Sequence, residues 1–218
     1  MIPVDVAAFR DRYRAEVIGP RYSGAAHFLF TTCVSLAAIT ALLWGVRSLT
    51  WIQLCTVPIA FFVANAAEYF GHRGPMHHQR KLLRVIFKRH TLEHHRFFTS
   101  EAMSYESARD IKMVLFPPSV LLFFFGGIGL PLGALAWLLF GENVARLFLA
   151  TATAYYLTYE WLHFSYHLSP DTWLGRRKLI SALRRHHMAH HDPARMATHN
   201  FNITFPICDA VFGTTAKE

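Results

Sequence analysis

Cysteine is scarce: three in 218 residues. Cys33, Cys55 and Cys208 form no close pair and two of them lie in strongly apolar stretches. That supports neither a disulfide framework nor a cysteine-rich metal site. Acidic residues are also few, 14 Asp and Glu against 22 Lys and Arg, for a formal net charge of +8. The first 24 residues carry several charges and no apolar core of their own, which argues against a cleaved signal peptide. No repeat, low-complexity tract or interdomain linker is visible, so a single domain over residues 1–218 is expected.

Scarcest of all is charge inside the long apolar runs. The chain is 53% hydrophobic, with a mean hydropathy of +0.22. Crossing a bilayer takes about 20 apolar residues at roughly 1.5 Å each. Residues 25–44 reach that length without a charge, and residues 51–69 nearly do, with Glu68 only at the end. Residues 116–140 are charge-free but broken by Gly126, Gly127, Gly129 and Pro131, which either bend the span or shorten it into a hairpin. Residues 144–161 are shorter, with Arg146 at the start and Glu160 at the close. The fold expected is an all-α integral membrane protein with four crossings; a water-soluble helical core rarely contains uncharged runs this long.

Basic residues give the orientation. Four Lys/Arg precede the first run, nine lie between residues 73 and 112, and seven between 176 and 217. Only Arg47 and Arg146 remain for the two short turns on the other side. Because cytoplasmic loops carry the Lys/Arg excess, both termini and the segments 72–112 and 163–218 are expected on the cytoplasmic face. The positive charge then serves orientation and attraction to anionic lipid, and nucleic acid is not an expected partner.

Histidine is what the chain has in abundance: 14 residues, most of them in the clusters His72-Arg-Gly-Pro-Met-His77, His90-Thr-Leu-Glu-His94-His95, His163-Phe-Ser-Tyr-His167 and His187-Met-Ala-His190-His191. Each cluster lies just beyond an apolar stretch. Imidazole is the commonest side-chain metal ligand and is neutral at physiological pH. Histidines at i and i+3 or i+4 project from one side of a helix, so His90/His94, His163/His167 and members of His187/His190/His191 can each share an ion. His72 and His77, five residues apart, would stand about 140° apart on an ideal helix; Gly71 and Gly74-Pro75 interrupt it and let them converge. Residues 79–95 and 176–191 read as basic amphipathic helices at the membrane surface, the first with Leu83, Ile86, Phe87, His90 and His94 on one stripe. The N-terminal segment reads as a short amphipathic lead-in, and the apolar tail 200–214, too short to cross a bilayer, as packing over the site.

A lone pair of surface histidines is more often solvated than ligating. Four clusters on one side of a membrane are another matter, and ten rings supply five nitrogens to each of two metals. Imidazole alone does not choose among Zn, Cu, Fe and Ni, but a structural zinc needs only four ligands. Two redox-active ions beside a lipid-facing site suit the activation of dioxygen against an unreactive C–H bond. Glu68, Glu93, Glu160 and Asp192 are candidates for orienting ring N–H groups. His186 competes with His187 for one place, His187 being preferred, while His78, His199 and His27 read as bystanders.

These residues resemble the fatty acid hydroxylase/sterol desaturase superfamily of membrane di-iron enzymes. The resemblance covers residues 60–214 and rests on HRGPMH, HTLEHH, HFSYH and HHMAHH in order, followed by Asn200, Phe201, Asp209, Phe212, Gly213 and Thr214 of the closing stretch. It implies a four-span bundle capped by cytosolic helices, with two irons between them held by His72, His77, His90, His94, His95, His163, His167, His187, His190 and His191. It also implies O2-dependent hydroxylation or desaturation of a membrane lipid, a fatty acyl chain or sterol among the choices. The short N-terminal lead-in leaves no room for a fused haem domain, so electrons are expected from a separate ferredoxin- or cytochrome-type donor. Purified protein can carry zinc instead, since affinity does not favour ferrous iron. Several relatives have His-x-x-His-His in the second cluster, where this chain has His90-x-x-x-His94-His95. Two rival readings are a zinc metalloprotease using His90-x-x-Glu93-His94 and a non-enzymatic metal transporter or haem carrier, which would place ionisable groups within the spans.

Overall fold

The computed structural model describes residues 5–217, and every regular element among them is helical. Asp5 caps helix α1 (Val6–Glu16) by accepting from the Ala8 N–H, the usual way an N-cap carboxylate satisfies a free helix N–H. Then follow α2 (Gly24–Trp44), α3 (Trp51–Leu54) and α4 (Thr56–Gly71), which runs directly into a π-helical turn at His72–Met76. After a 3₁₀ turn, α5 (Arg84–Phe87), a second π turn (Lys88–His94) and α6 (His95–Phe97) occupy the region expected as one amphipathic α-helix. Next come α7 (Ile111–Val114), α8 (Pro118–Leu122), a third π turn (Phe123–Gly129) and α9 (Leu130–Phe140). The Gly-rich middle of the third apolar run is thus helical throughout. The chain closes with α10 (Glu142–Tyr166), α11 (Lys178–His190) and α12 (Ile207–Phe212).

Three stretches, Gly24–Trp44, Trp51–Met76 and Ala108–Phe140, are long and apolar enough to cross a membrane. Helix α10 is 25 residues long but carries Glu142, Arg146, three threonines and Glu160, and does not join them on composition.

The chain divides into two compact units. One comprises residues 25–64 and 116–160. Its surface is apolar: Leu29, Trp44, Ile52, Leu122 and Leu138 are all more than half exposed, which in water would be costly and in hydrocarbon is not. Its interior uses small residues, Ala60, Ala145, Ala150 and Thr153 being buried. A Cβ on Gly133 would stand 2.8 Å from Leu149 Cδ1, so glycine lets α9 and α10 approach closely without displacing the Leu149 side chain. Of the two basic residues on the short turns, Arg146 pairs with Glu142 at 2.6 Å, and the Arg47 carbonyl accepts from Asn143 Nδ2 at 2.6 Å.

The other unit comprises residues up to Gly24, 65–115 and from Trp161 onward. Its apolar core joins Tyr13 and Ile18 to Phe97, Phe98, Met113 and Val114. Helix α1 is therefore a core element of this unit and more than a lead-in. Arg10, 2% exposed, donates to the Phe97 and Ala102 carbonyls and to Glu106. Arg14 grips both Asp110 and Glu106. These bonds tie α1 to the loop that follows the second histidine cluster.

Candidate metal centre

All ten histidines named from the four clusters fall in this second unit and all are buried. They form two groups: His72, His77, His90, His95 and His190 in one, and His94, His163, His167 and His187 in the other, with the ligand atoms of each group within 4.8 Å of one another. His191 completes the cage. Its Nε2 lies 3.0 Å from that of His187, while its ring stacks on His95 with centroids 4.3 Å apart.

The two π turns explain how the first two clusters reach the cage. A π turn closes i→i+5 hydrogen bonds, with about 4.4 residues per turn, so residues five apart end only about 50° apart. The turn at His72–Met76 thus brings His72 and His77 together, as the Gly71 and Gly74-Pro75 interruption was expected to do. In the turn at Lys88–His94 the same winding places His94 and His95 on either side of His90. His95 Nε2 stands 3.1 Å from His90 Nε2 in the five-membered group, while the His94 ring faces His163 at 4.9 Å in the other. His163 and His167, one α-turn apart, approach to 3.2 Å between Nε2 atoms.

Protons decide what the cage can hold. A carbonyl only accepts, so any ring nitrogen facing one must carry the hydrogen. His72 Nδ1 donates to Phe201 O (2.5 Å), His94 to Met113 O (2.8 Å), His167 to Met103 O (2.7 Å), His190 to His199 O (2.9 Å) and His191 to Phe98 O (2.7 Å). Thr91 Oγ1 gives its proton to Met76 O, so it accepts from His77 Nδ1 at 3.3 Å. Each of these rings therefore points a bare Nε2 lone pair inward. His77 Nε2 and His190 Nε2 then face each other at 2.9 Å with no proton on either. Two lone pairs at that distance repel unless a cation lies among them. His94 Nε2 is buried with no hydrogen-bond partner at all.

The spacings fit a metal. Metal–imidazole bonds of about 2.0–2.1 Å set neighbouring donors roughly 2.9 Å apart at a right angle and roughly 3.3 Å apart at a tetrahedral one. The Nε2 atoms of His72 and His90 are 2.8 Å apart, those of His77 and His90 3.2 Å, and those of His167 and His187 3.3 Å. Burial first, then the neighbouring imidazoles, pushes His90, His95, His187 and His190 well below the ordinary imidazole range. Such rings stay neutral, the form that binds metal.

The four carboxylates hold the surrounding chain. Glu68 accepts from the Ile203 and Thr204 N–H groups and the Thr204 hydroxyl. Glu93 accepts from Tyr13 and Arg89, Glu160 from the Phe116 N–H, and Asp192 from the Ala194 N–H on an exposed turn. His186 turns away from the cage, its Nε2 donating to Asn202 O at 3.1 Å. His78 faces the Arg73 carbonyl. Thr91 and the carbonyls of Met103, Met113, Phe98, His199 and Phe201 have no sequence signature as orienting groups. Asp209, which the sequence marks only as part of the closing motif, is buried and accepts from the Phe201 and Asn202 N–H groups and the Thr214 hydroxyl. Burial alone would raise this carboxyl; its contacts with His186, Thr214 and the two N–H groups hold it below the ordinary carboxylate range.

Among the described residues, the fold and cage define an all-helical architecture with three stretches long and apolar enough to cross a membrane and a buried all-histidine site able to hold metal. The chain belongs to the fatty acid hydroxylase family, whose model matches residues 57–214, in line with the motif resemblance. Among solved structures it is similar to full-length Scs7p, of which only the hydroxylase domain is visible. That match has a TM-score of 0.60 and 20% identity and covers 87% of this chain and 67% of the other; identity this low establishes likeness of fold. No curated protein matches the sequence.

Proposed function

We propose that the protein is an iron- and O2-dependent monooxygenase that hydroxylates, or desaturates, a membrane lipid. The observation that carries this reading is the His77–His190 pair: two fixed tautomers presenting bare lone pairs to each other at 2.9 Å inside a ten-histidine cage. His72, His77, His90, His95 and His190 would hold one iron and His94, His163, His167 and His187 the other, with His191 beside them. Bound there, the irons supply the activation of dioxygen against an unreactive C–H bond, using two electrons from a separate ferredoxin- or cytochrome-type donor. The chain's own residues keep the rings neutral, fix the tautomers of His72, His94, His167, His190 and His191 through backbone carbonyls and that of His77 through Thr91, and exclude water by burial.

The placement goes with the substrate. His72 directly continues the apolar helix α4, and His163 lies near the end of α10, which supports a membrane lipid as the substrate. In this reading α10 is the fourth crossing, and the basic residues put both termini and the cage on the cytoplasmic face. The family supports a lipid as substrate; which lipid is left to experiment. The protease reading finds no support: His90 and His94 stand in different groups, and Glu93 is engaged by Tyr13 and Arg89.

Lipid mass spectrometry tests the proposal in a host with a working electron donor, comparing wild type with a His163→Ala/His167→Ala variant. A lipid shifted by one oxygen, or by two hydrogens, in the wild type only is the expected result. Identical lipid profiles would contradict it.

A further inference from the structure

The segment 199–214 supplies the carbonyls that orient two of the cage rings, and one carboxylate controls both. The Phe201 carbonyl and the Asn202 N–H belong to one planar peptide group and, with no cis bond among the described residues, point in opposite directions. The carbonyl accepts from His72 Nδ1 and the N–H donates to Asp209 Oδ2 at 2.7 Å. Asp209 thus fixes the plane that His72 reads from its other edge. The same logic holds one peptide earlier. The His199 carbonyl accepts from His190 Nδ1, and the Asn200 N–H across that peptide donates to Thr214 O at 2.9 Å. Thr214 is itself held by Asp209: its hydroxyl donates to the carboxylate at 2.6 Å, while its N–H donates to the Asp209 backbone carbonyl at 2.8 Å. Asn200 sits at φ 57°, a left-handed conformation that asparagine tolerates better than most residues and that needs such anchoring.

His72 and His190 both belong to the five-histidine group. The rings His94, His167 and His191 take their carbonyls from Met113, Met103 and Phe98, all outside this segment. Resting on the cage as a metal centre, we propose that Asp209 is a positioning residue for the five-histidine site alone. It acts through two peptide planes without touching metal or any cage ring, its one imidazole contact being with His186 outside the cage, and the closing segment is the device that sets the affinity of one metal independently of the other.

The test isolates each site and reads zinc binding, a redox-silent probe, on the full-length protein in detergent. His163→Ala/His167→Ala leaves the five-histidine site and His77→Ala/His95→Ala leaves the other; each should hold one zinc. Adding Asp209→Asn should weaken zinc binding about 10–100-fold in the first background, the usual cost of losing a group that orients a ligand. In the second background it should change binding by less than about twofold, which also shows that Asp209→Asn by itself does not unfold the protein. Thr214→Val, a milder change, should weaken the first site in the same direction by less. Equal weakening in both backgrounds would show a merely structural role and overturn the proposal, as would no weakening in either. Wild-type protein that takes up neither zinc nor iron would instead sink the metal-centre reading itself, and this inference with it.

Discussion

His94 and His95 are neighbours in the chain, yet their rings stand 5.5 Å apart at 88° and enter different groups of the cage. Each alanine substitution should therefore remove ligation from a different metal. On reconstituted protein, His94→Ala and His95→Ala should each leave close to one tightly held metal per chain, and the double variant close to none. Single variants that each lose both metals would show that the two groups do not bind independently.

Acid should empty and unfold the cage. The buried rings are neutral when folded, with pKa values pushed below the ordinary range, while unfolded histidines titrate near 6.5. Between those values the unfolded state binds more protons, so stability rises with pH and is fully present above the unfolded value. Metal-free protein in detergent should melt at clearly lower temperature at pH 5 than at pH 7.5. A melting temperature that does not move over that interval would contradict the buried, neutral assignment.

Glu93→Gln separates the surviving functional reading from the protease. Glu93 faces Tyr13 and Arg89, so the change should cost roughly 1.5–3 kcal/mol, the range for hydrogen bonds to a charged group, and leave metal content intact. A zinc protease would lose peptide cleavage with the protein otherwise unharmed. Thermal melts and metal analysis on the same preparation make the comparison.

Arg10→Ala reaches the cage from a distance. The variant strips donors from the Phe97 and Ala102 carbonyls, each worth about 1–3 kcal/mol when left buried and unpaired. Phe98, next in sequence, supplies the carbonyl for His191. The melting temperature should fall, and hydrogen exchange at residues 97–102 should rise ahead of exchange in α10. Unchanged exchange there would show that α1 does not brace the loop.

The apolar runs, the helical class and the ten cage histidines were legible because burial in a membrane and i, i+4 ligand spacing leave period and composition in the chain. The sharing of the rings between two groups was not. It depends on π winding at Lys88–His94, and nothing in the run Arg89–His95 distinguishes that from an α-helix. The extra residue between His90 and His94 is absorbed by the same winding. Backbone carbonyls that fix ring tautomers belong to every residue, so no side chain announces them; the candidate carboxylates were the visible alternative, and they hold chain segments. Helix α1 looked like a lead-in because its inward residues, Arg10 and Tyr13, are ones whose burial depends on partners about 80 or more positions away.

Anomalous scattering at the iron edge from crystals of iron-loaded protein tests the central claim most directly. Two peaks are predicted, one enclosed by Nε2 of His72, His77, His90, His95 and His190, the other by Nε2 of His94, His163, His167 and His187. A single peak, or iron located away from these rings, would contradict it.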